Sequence, residues 1–256
     1  MFNPSLIWEL TKRDYRERYA GSALGVAWAL IWPLVPIFIY TMIFGKFMGA
    51  RLPGNSGVYS YSIYVSAGLI PWNAFANSLS RSTSVFIDNK HIISRVPTSL
   101  PGLVIFVHLS ETITFLITMS FFFAFLVFTD YRFTHHIFLV PYLFYLQQLL
   151  TTGIGIMMAT LTVFVRDTKE IINIALQLWF WFTPLVYVPE ILPSTLKKLM
   201  LVNPTYVITD GYHKIFVFHE YPNFTHLAIL STAGHIGLLV AYAMFRKLEK
   251  DVRDFV

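Results

Sequence analysis

Glu111 is the one acidic residue inside an apolar stretch of this chain (residues 96–129), and His108 precedes it by three positions, on the same face of a helix. A carboxylate near the middle of a bilayer costs about 2.5–3.5 kcal/mol unless it is paired, protonated or facing water. Two chemistries fit. A carboxylate beside an imidazole can pass a proton, as in a proton-coupled transporter, or the two can form a buried hydrogen-bonded clamp between helices, with His235, Gln147 or Gln148 as further partners. The clamp is the better reading, because one carboxylate without a second intramembrane charge is a poor relay. Arg166 and Asp167, at the end of another apolar stretch, read locally as a helix-end charge and the cap of the next helix. Zero Cys removes disulfides, thiolate metal sites and a cysteine nucleophile. No metal-ligand cluster, no nucleic-acid patch and no paired carboxylates for group transfer stand out. Gly45 and Lys46 are followed by Phe47, which is not a phosphate-binding loop. The chain is expected to be no enzyme and to hold no cofactor.

The elements that would carry these residues follow from composition. Of 256 residues 55% are hydrophobic and 13% charged, which excludes a soluble enzyme. Six charge-poor runs, 19–45, 52–80, 96–129, 133–165, 171–189 and 221–245, are each long enough to cross a bilayer and are apolar on all sides, so they read as helices, not barrel strands. The fold class is an all-α membrane protein in a single unit, with six transmembrane helices at about 22–46, 58–80, 102–128, 137–163, 170–188 and 224–245. Lys12, Arg13, Arg16, Arg18, Arg81, Lys90, Arg95, Arg166, Lys169, Arg246, Lys247, Lys250 and Arg253 fall on one side, against Lys46, Arg51, Arg132, Lys197, Lys198 and Lys214 on the other. Basic residues favour the cytoplasm, so both termini are expected there.

Three segments outside the spans have structure of their own. Residues 3–19 mix Leu6, Ile7 and Leu10 with Lys12, Arg13 and Arg16, and read as an amphipathic helix in the cytoplasmic interface, basic side chains toward lipid phosphates. Residues 81–100 carry Phe86, Ile92 and Ile93 with Arg95 before Pro97, a short cytoplasmic helix that fits either a partner's groove or the protein's own span ends. Residues 190–218 are too many for a turn. Leu199 lies in a first short helix, Asn203 caps a second with Pro204 at its first position, and Tyr212 falls on its apolar face, so the segment reads as a re-entrant hairpin forming an external gate. The cytoplasmic pieces are too short to fold as a nucleotide-binding domain.

Several motifs in order, RDYRERYAGSALGVAW at 13–28 followed by Pro33, NKHIISRVPTSLP at 89–101, VFVRD at 163–167, WFTPLVY at 181–187 and NP at 203–204, closely resemble the membrane subunit of ABC exporters for O-antigen, capsular and teichoic-acid polysaccharides. The similarity covers nearly the whole chain. It implies a homodimeric permease in the bacterial inner membrane that exports an undecaprenyl-linked polysaccharide, with ATP and magnesium held by a separate ATPase subunit. A drug or lipid exporter is the nearest alternative. The resemblance also places Arg166 and Asp167, with the 81–100 segment, near the ATPase. Thr183 stands where the family usually has Ser, and Gly211, Tyr212 and His213 where it often has Arg.

A moving sugar chain needs a surface on which it slides. The chain has 24 Phe, 14 Tyr and 6 Trp, and aromatic faces pack against the apolar faces of sugars without fixing a hydrogen-bond register. Trp179 and Trp181 lie roughly 14–17 Å into span five at 1.5 Å per residue, too deep for an interfacial belt. Trp28, Trp32 and Tyr40 share a face of span one. These five are the expected lining of the path, with indole N–H groups bonded to a polar lumen.

Overall fold

The computed structural model describes residues 4–19, 24–47, 52, 59–94 and 99–255, and the described residues form helices and no strand. In chain order the helices are α1 (Pro4–Tyr19), α2 (Trp28–Tyr40), α3 (Ser60–Asp88), α4 (Lys90–Ile93), α5 (Leu100–Phe128), α6 (Val140–Phe164), α7 (Thr168–Trp181), α8 (Ser194–Met200), α9 (Pro204–His213) and α10 (Phe224–Phe255). A wider π-type turn, Thr41–Phe47, prolongs α2, and another, Lys214–Phe218, prolongs α9.

Three of these are long and apolar enough to cross a membrane by length and composition: α5, α6 with its lead-in from His135, and α10. The sequence expectation of six crossings rests on three further helices of a different kind. Helix α3 has 29 residues, about 44 Å at 1.5 Å per residue. It carries Ser, Asn and Arg side chains and is buried along nearly its whole length. As the central post it meets other protein instead of lipid, so it need not be apolar on all faces.

Helix α7 has 14 residues, about 21 Å, short of the roughly 30 Å hydrocarbon thickness. The run 170–188 reads as one continuous span from its composition, but the helix stops at Trp181. The reason is local: Pro184 has no N–H to continue the ladder and turns Thr183 away from helical geometry. Span five is thus a half-helix followed by an irregular, bent stretch.

Two apolar clusters divide the bundle lengthwise. The larger joins Tyr64, Leu69 and Phe75 of α3 with Phe122 of α5, Leu143 of α6 and Tyr212 of α9. The smaller joins Ile7 and Leu10 of α1, Phe86 of α3, Leu103 of α5, Ile156 of α6 and Phe245 of α10. Of the two covers that the sequence leaves open for residues 81–100, a partner's groove or the protein's own span ends, Phe86 and Ile92 take the second, at this end of the bundle. Helix α3 continues through Val85 and Phe86 to Asp88, leaving only the four residues of α4 as a separate piece. Phe86 and Ile92 are buried among the protein's own helices, with Phe86 6.3 Å from Phe245 between ring centres, and Ile93 packs at the cluster edge. Arg95 lies outside the described residues.

Helices α8 and α9 form the segment expected as a hairpin. Asn203 is the N-cap of α9, its side chain accepting from the Thr205 N–H, and Pro204 opens the helix. Ile208, Gly211, Tyr212, Ile215 and Phe216 are buried against α3 and α6. Asp210 and Lys214, four residues apart, pair at 3.3 Å; burial raises the Asp210 carboxyl above its ordinary value and the Lys214 ammonium opposes that shift.

Candidate functional site

The chain after α7 has lost its helical hydrogen bonds in a setting where unpaired backbone groups are costly, so its carbonyls must find other donors. Two tyrosines of α3 supply them. Tyr61 donates to the Val186 carbonyl (2.7 Å), and the Tyr64 hydroxyl sits between those of Pro184 (3.1 Å) and Tyr187 (2.9 Å). Tyr187 in turn donates to the Trp181 carbonyl at the end of α7 (2.6 Å). The His213 ring stacks on Tyr64 with centroids 3.8 Å apart, and its Nε2–H donates to the Tyr64 carbonyl (3.1 Å). One residue of α3 therefore touches both the unwound stretch and α9.

Gly68 makes that stack possible. A Cβ there would lie 2.9 Å from His213 Nε2 and 3.3 Å from Leu185. Gly68→Ala should displace the imidazole and cost about 1–3 kcal/mol, read as a lowered melting temperature of the detergent-solubilised protein. An unchanged melting point would mean that the ring moves aside freely.

Asn203 ties the same region from the other side. Its Nδ2 donates to the Phe182 carbonyl (3.1 Å) and to Thr183 Oγ1 (3.0 Å), while its Oδ1 accepts from the Trp179 indole N–H (2.8 Å) and Thr205 Oγ1 (2.7 Å). Thr183 and Thr205 hydroxyls meet at 3.0 Å. The end of α7 and the start of α9 are thus one polar knot.

This knot changes the reading of the aromatic set. The Trp179 indole N–H, expected to bond a polar lumen, donates to Asn203, and its ring packs edge-on against Phe75 at 5.2 Å while also bordering the cleft that Trp181 lines. Trp181 is 56% exposed, beside exposed Phe182 and Leu199, on an open apolar cleft of about 450 Å³ whose wall also includes Tyr187 and Pro204. Tyr40 is half-buried and stacks on Phe180 of α7 at 5.9 Å, so span one reaches α7 through it. Trp28 is half-buried, and the side chain of Trp32 lies outside the described residues. Tyr212 is fully buried beneath α9, away from the cleft, whereas Leu199 borders it.

At the opposite end a second polar assembly gathers around Glu111. The carboxylate reaches none of the partners expected from spacing. His108 instead bridges Ser82 of α3 (3.1 Å) and Thr152 of α6 (3.1 Å), and His235 pairs with Tyr145 (2.9 Å). Glu111 binds two arginines, Arg81 at 2.7 Å and Arg18 at 2.9 Å. Both arginines also bind Asp14, at 2.5 Å and 3.1 Å. The four charges alternate around a closed ring across α1, α3 and α5, and Ser110 bridges it, donating to Asp14 (2.6 Å) and accepting from Arg18 (3.0 Å). The sequence places Arg18 and Arg81 in cytoplasmic margins, so neither they nor Asp14 stand out as partners. The available signal was that a buried carboxylate needs a cation, and that these arginines lie nearest the span ends. Arg166 and Asp167 sit exposed in the turn between α6 and α7; Asp167 occupies the N-cap position of α7 without a side-chain capping bond.

Comparison with known proteins agrees with this architecture. Residues 5–217 match the family described as ABC-2 type transporter. The chain is 29% identical over 247 residues to an O-antigen export system permease protein RfbA of Klebsiella pneumoniae, an alignment covering 95% of this chain and 92% of that one. A protein of the same description from Myxococcus xanthus is 24% identical over 253 residues, 98% of this chain and 95% of its own length. With a family match across most of its length, and with long apolar helices around a buried polar post, this chain is a multi-pass membrane protein that belongs to the ABC-2 type transporter family.

Proposed function

We propose that the protein is the permease through which a lipid-linked polysaccharide of the O-antigen type leaves the cytoplasm, driven by ATP hydrolysed with magnesium in a separate ATPase subunit. The observation that carries this reading is similarity along nearly the whole length to permeases described as exporting O-antigen. Six crossings are supplied by α2 with its π-type extension, α3, α5, α6, the half-helix α7 and α10, with both termini in the cytoplasm of a bacterial inner-membrane protein. Two copies enclose the path. The apolar faces of α2 (Phe38, Ile39) and the cleft at Trp181 are exposed in one copy and are suited to line or close it. Helices α8 and α9, tied by Asn203 and Pro204, act as the external gate, and α4 with Ile93, Arg166 and Asp167 faces the ATPase. Phe86 and Ile92 contribute from beneath, as the packed support of that surface.

The deciding experiment is deletion in the native host: undecaprenyl-linked glycan should accumulate inside the cell, and the tagged protein should co-purify with an ATPase subunit. Normal surface glycan together with no ATPase partner overturns the reading. Within it, Trp181→Ala should slow export several-fold with assembly intact, because its ring faces the cleft, whereas Trp179→Phe should act through loss of the Asn203 bond and lower stability. Equal export by wild type and Trp181→Ala removes that residue from the path.

A further inference from the structure

The ring of four charges has a property that a simple buried ion pair lacks. Helix α1 contributes Asp14 and Arg18, which pair with each other at 3.1 Å. The bundle contributes Arg81 of α3 and Glu111 of α5, which pair at 2.7 Å. If the ring is divided along the seam between α1 and the bundle, each half keeps one acid and one base in mutual contact. Separation breaks the Arg81–Asp14 and Arg18–Glu111 contacts and strands no charge, whereas parting an ordinary buried pair leaves two naked ions.

Water is available to the halves. A cleft of about 480 Å³ opens between α1 and the end of α3, bordered by Arg13, Asp14, Glu17, Arg81 and Asp88. Asp14 and Arg81 side chains are 22% and 30% exposed, against 2% for Glu111, so the ring has a wet edge on the seam and a dry edge inside the bundle. Beyond the ring, α1 meets the bundle through Leu6, Ile7 and Leu10 in the apolar cluster, with Ile7 against Gly102, and through Thr11 beside the Phe106 carbonyl at 3.5 Å. Apolar contact alone would hold α1 to the bundle without fixing its register, because it is non-directional. Four alternating charges fix it, since a slip of one turn places like charges together.

We propose that α1 is a separable docking element, which leaves and rejoins the bundle as a unit during the transport cycle, and that Asp14, Arg18, Arg81 and Glu111 are positioning residues that set its docked register. The transport-cycle part rests on the function proposed above; the docking part does not.

The chain has no Cys, so introduced thiols report without background from it. Ile7→Cys with Gly102→Cys places two thiols across the seam: a Cβ at position 102 lies 3.6 Å from Ile7 Cγ1, and the terminal Ile7 atom that crowds it is removed by the exchange. In membranes containing the complete complex, oxidation should join Cys pairs at these positions, halt export, and release it again on reduction. Export that continues at the reduced rate with the disulfide intact overturns separation.

The second arm reads docking alone. Exchanging the charges of α1, Asp14→Arg with Arg18→Asp, leaves the net charge of α1 unchanged but sets like charges across the seam, and should cut the initial rate of disulfide formation about tenfold. Adding Arg81→Glu with Glu111→Arg restores complementarity and should return the rate to within about twofold. An unaltered rate in the α1 exchange, or no recovery in the fourfold exchange, overturns the ring as the register device. Absence of export in the reduced, otherwise wild-type complex counts against the proposed function and leaves this second arm readable.

Discussion

Glu111→Ala should lower the stability of the protein by about 3–5 kcal/mol, the range expected when one member of a buried ion pair is removed and its partner stays charged. Arg81 and Arg18 would then share Asp14 alone, giving the ring a surplus positive charge beside α5. Removing Arg81 and Glu111 together, as Arg81→Met with Glu111→Leu, should cost far less, because Asp14 and Arg18 remain a neutral pair and the new side chains are apolar and of similar volume. Reversible unfolding of the solubilised protein for Arg81→Met, Glu111→Leu and the double variant gives the coupling directly. Additive losses would mean that the ring is no energetic unit. The same geometry alters how transport data must be read: export lost in Glu111→Gln no longer indicates proton transfer, since Gln also unbalances the ring. The neutral exchange Glu111→Gln with Arg18→Gln separates the two effects, and export surviving it excludes Glu111 as a proton carrier.

Asn203→Ala is expected to be the most damaging change at the other end, costing roughly 3 kcal/mol or more. The lost cap of α9 accounts for about 1 kcal/mol. The Trp179 indole N–H loses its partner in a part-buried site, at about 1–3 kcal/mol, and the Phe182 carbonyl, on an exposed bond, adds less. Asn203→Ser should recover only the capping share, because a hydroxyl on one carbon cannot reach across to Trp179 and Phe182. Protease accessibility of residues 182–203 in membranes, together with melting temperature, distinguishes these outcomes. If Ser recovers everything, the knot is only a cap.

The two polar assemblies were legible to very different degrees. The Asn203–Pro204 helix start could be read directly, since a cap depends on residues one to three positions apart. The Thr183–Pro184 stop was equally present in the sequence, yet the apolar run 170–188 masked it, because hydropathy averages over the very positions where backbone geometry changes. For Trp179 the chemistry was right and the partner was not: an indole deep in a span does need an acceptor, and the acceptor came from a segment 24 positions later that folds back against it. Between the two covers open to the apolar residues of 81–100 the sequence could not choose, for a related reason: the cover comes from the C-terminal part of α10, through Phe245 and Val252, far along the chain.

Glu111 marks the boundary most sharply. Its cost in an apolar stretch, and hence the need for a partner, follows from one residue and its neighbours, as do the membrane setting, the helices and the likeness to a family of permeases. Those are properties of local composition and periodicity, and they are written along the chain. The identity of the partners depends on Asp14, Arg18 and Arg81, up to 97 positions away, converging from α1 and α3 on Glu111 of α5 in a ring of contacts at 2.5–3.1 Å. Packing of α1 against α3 and α5 decides that convergence, because an ion pair is a relation in space that no spacing along a single helix encodes.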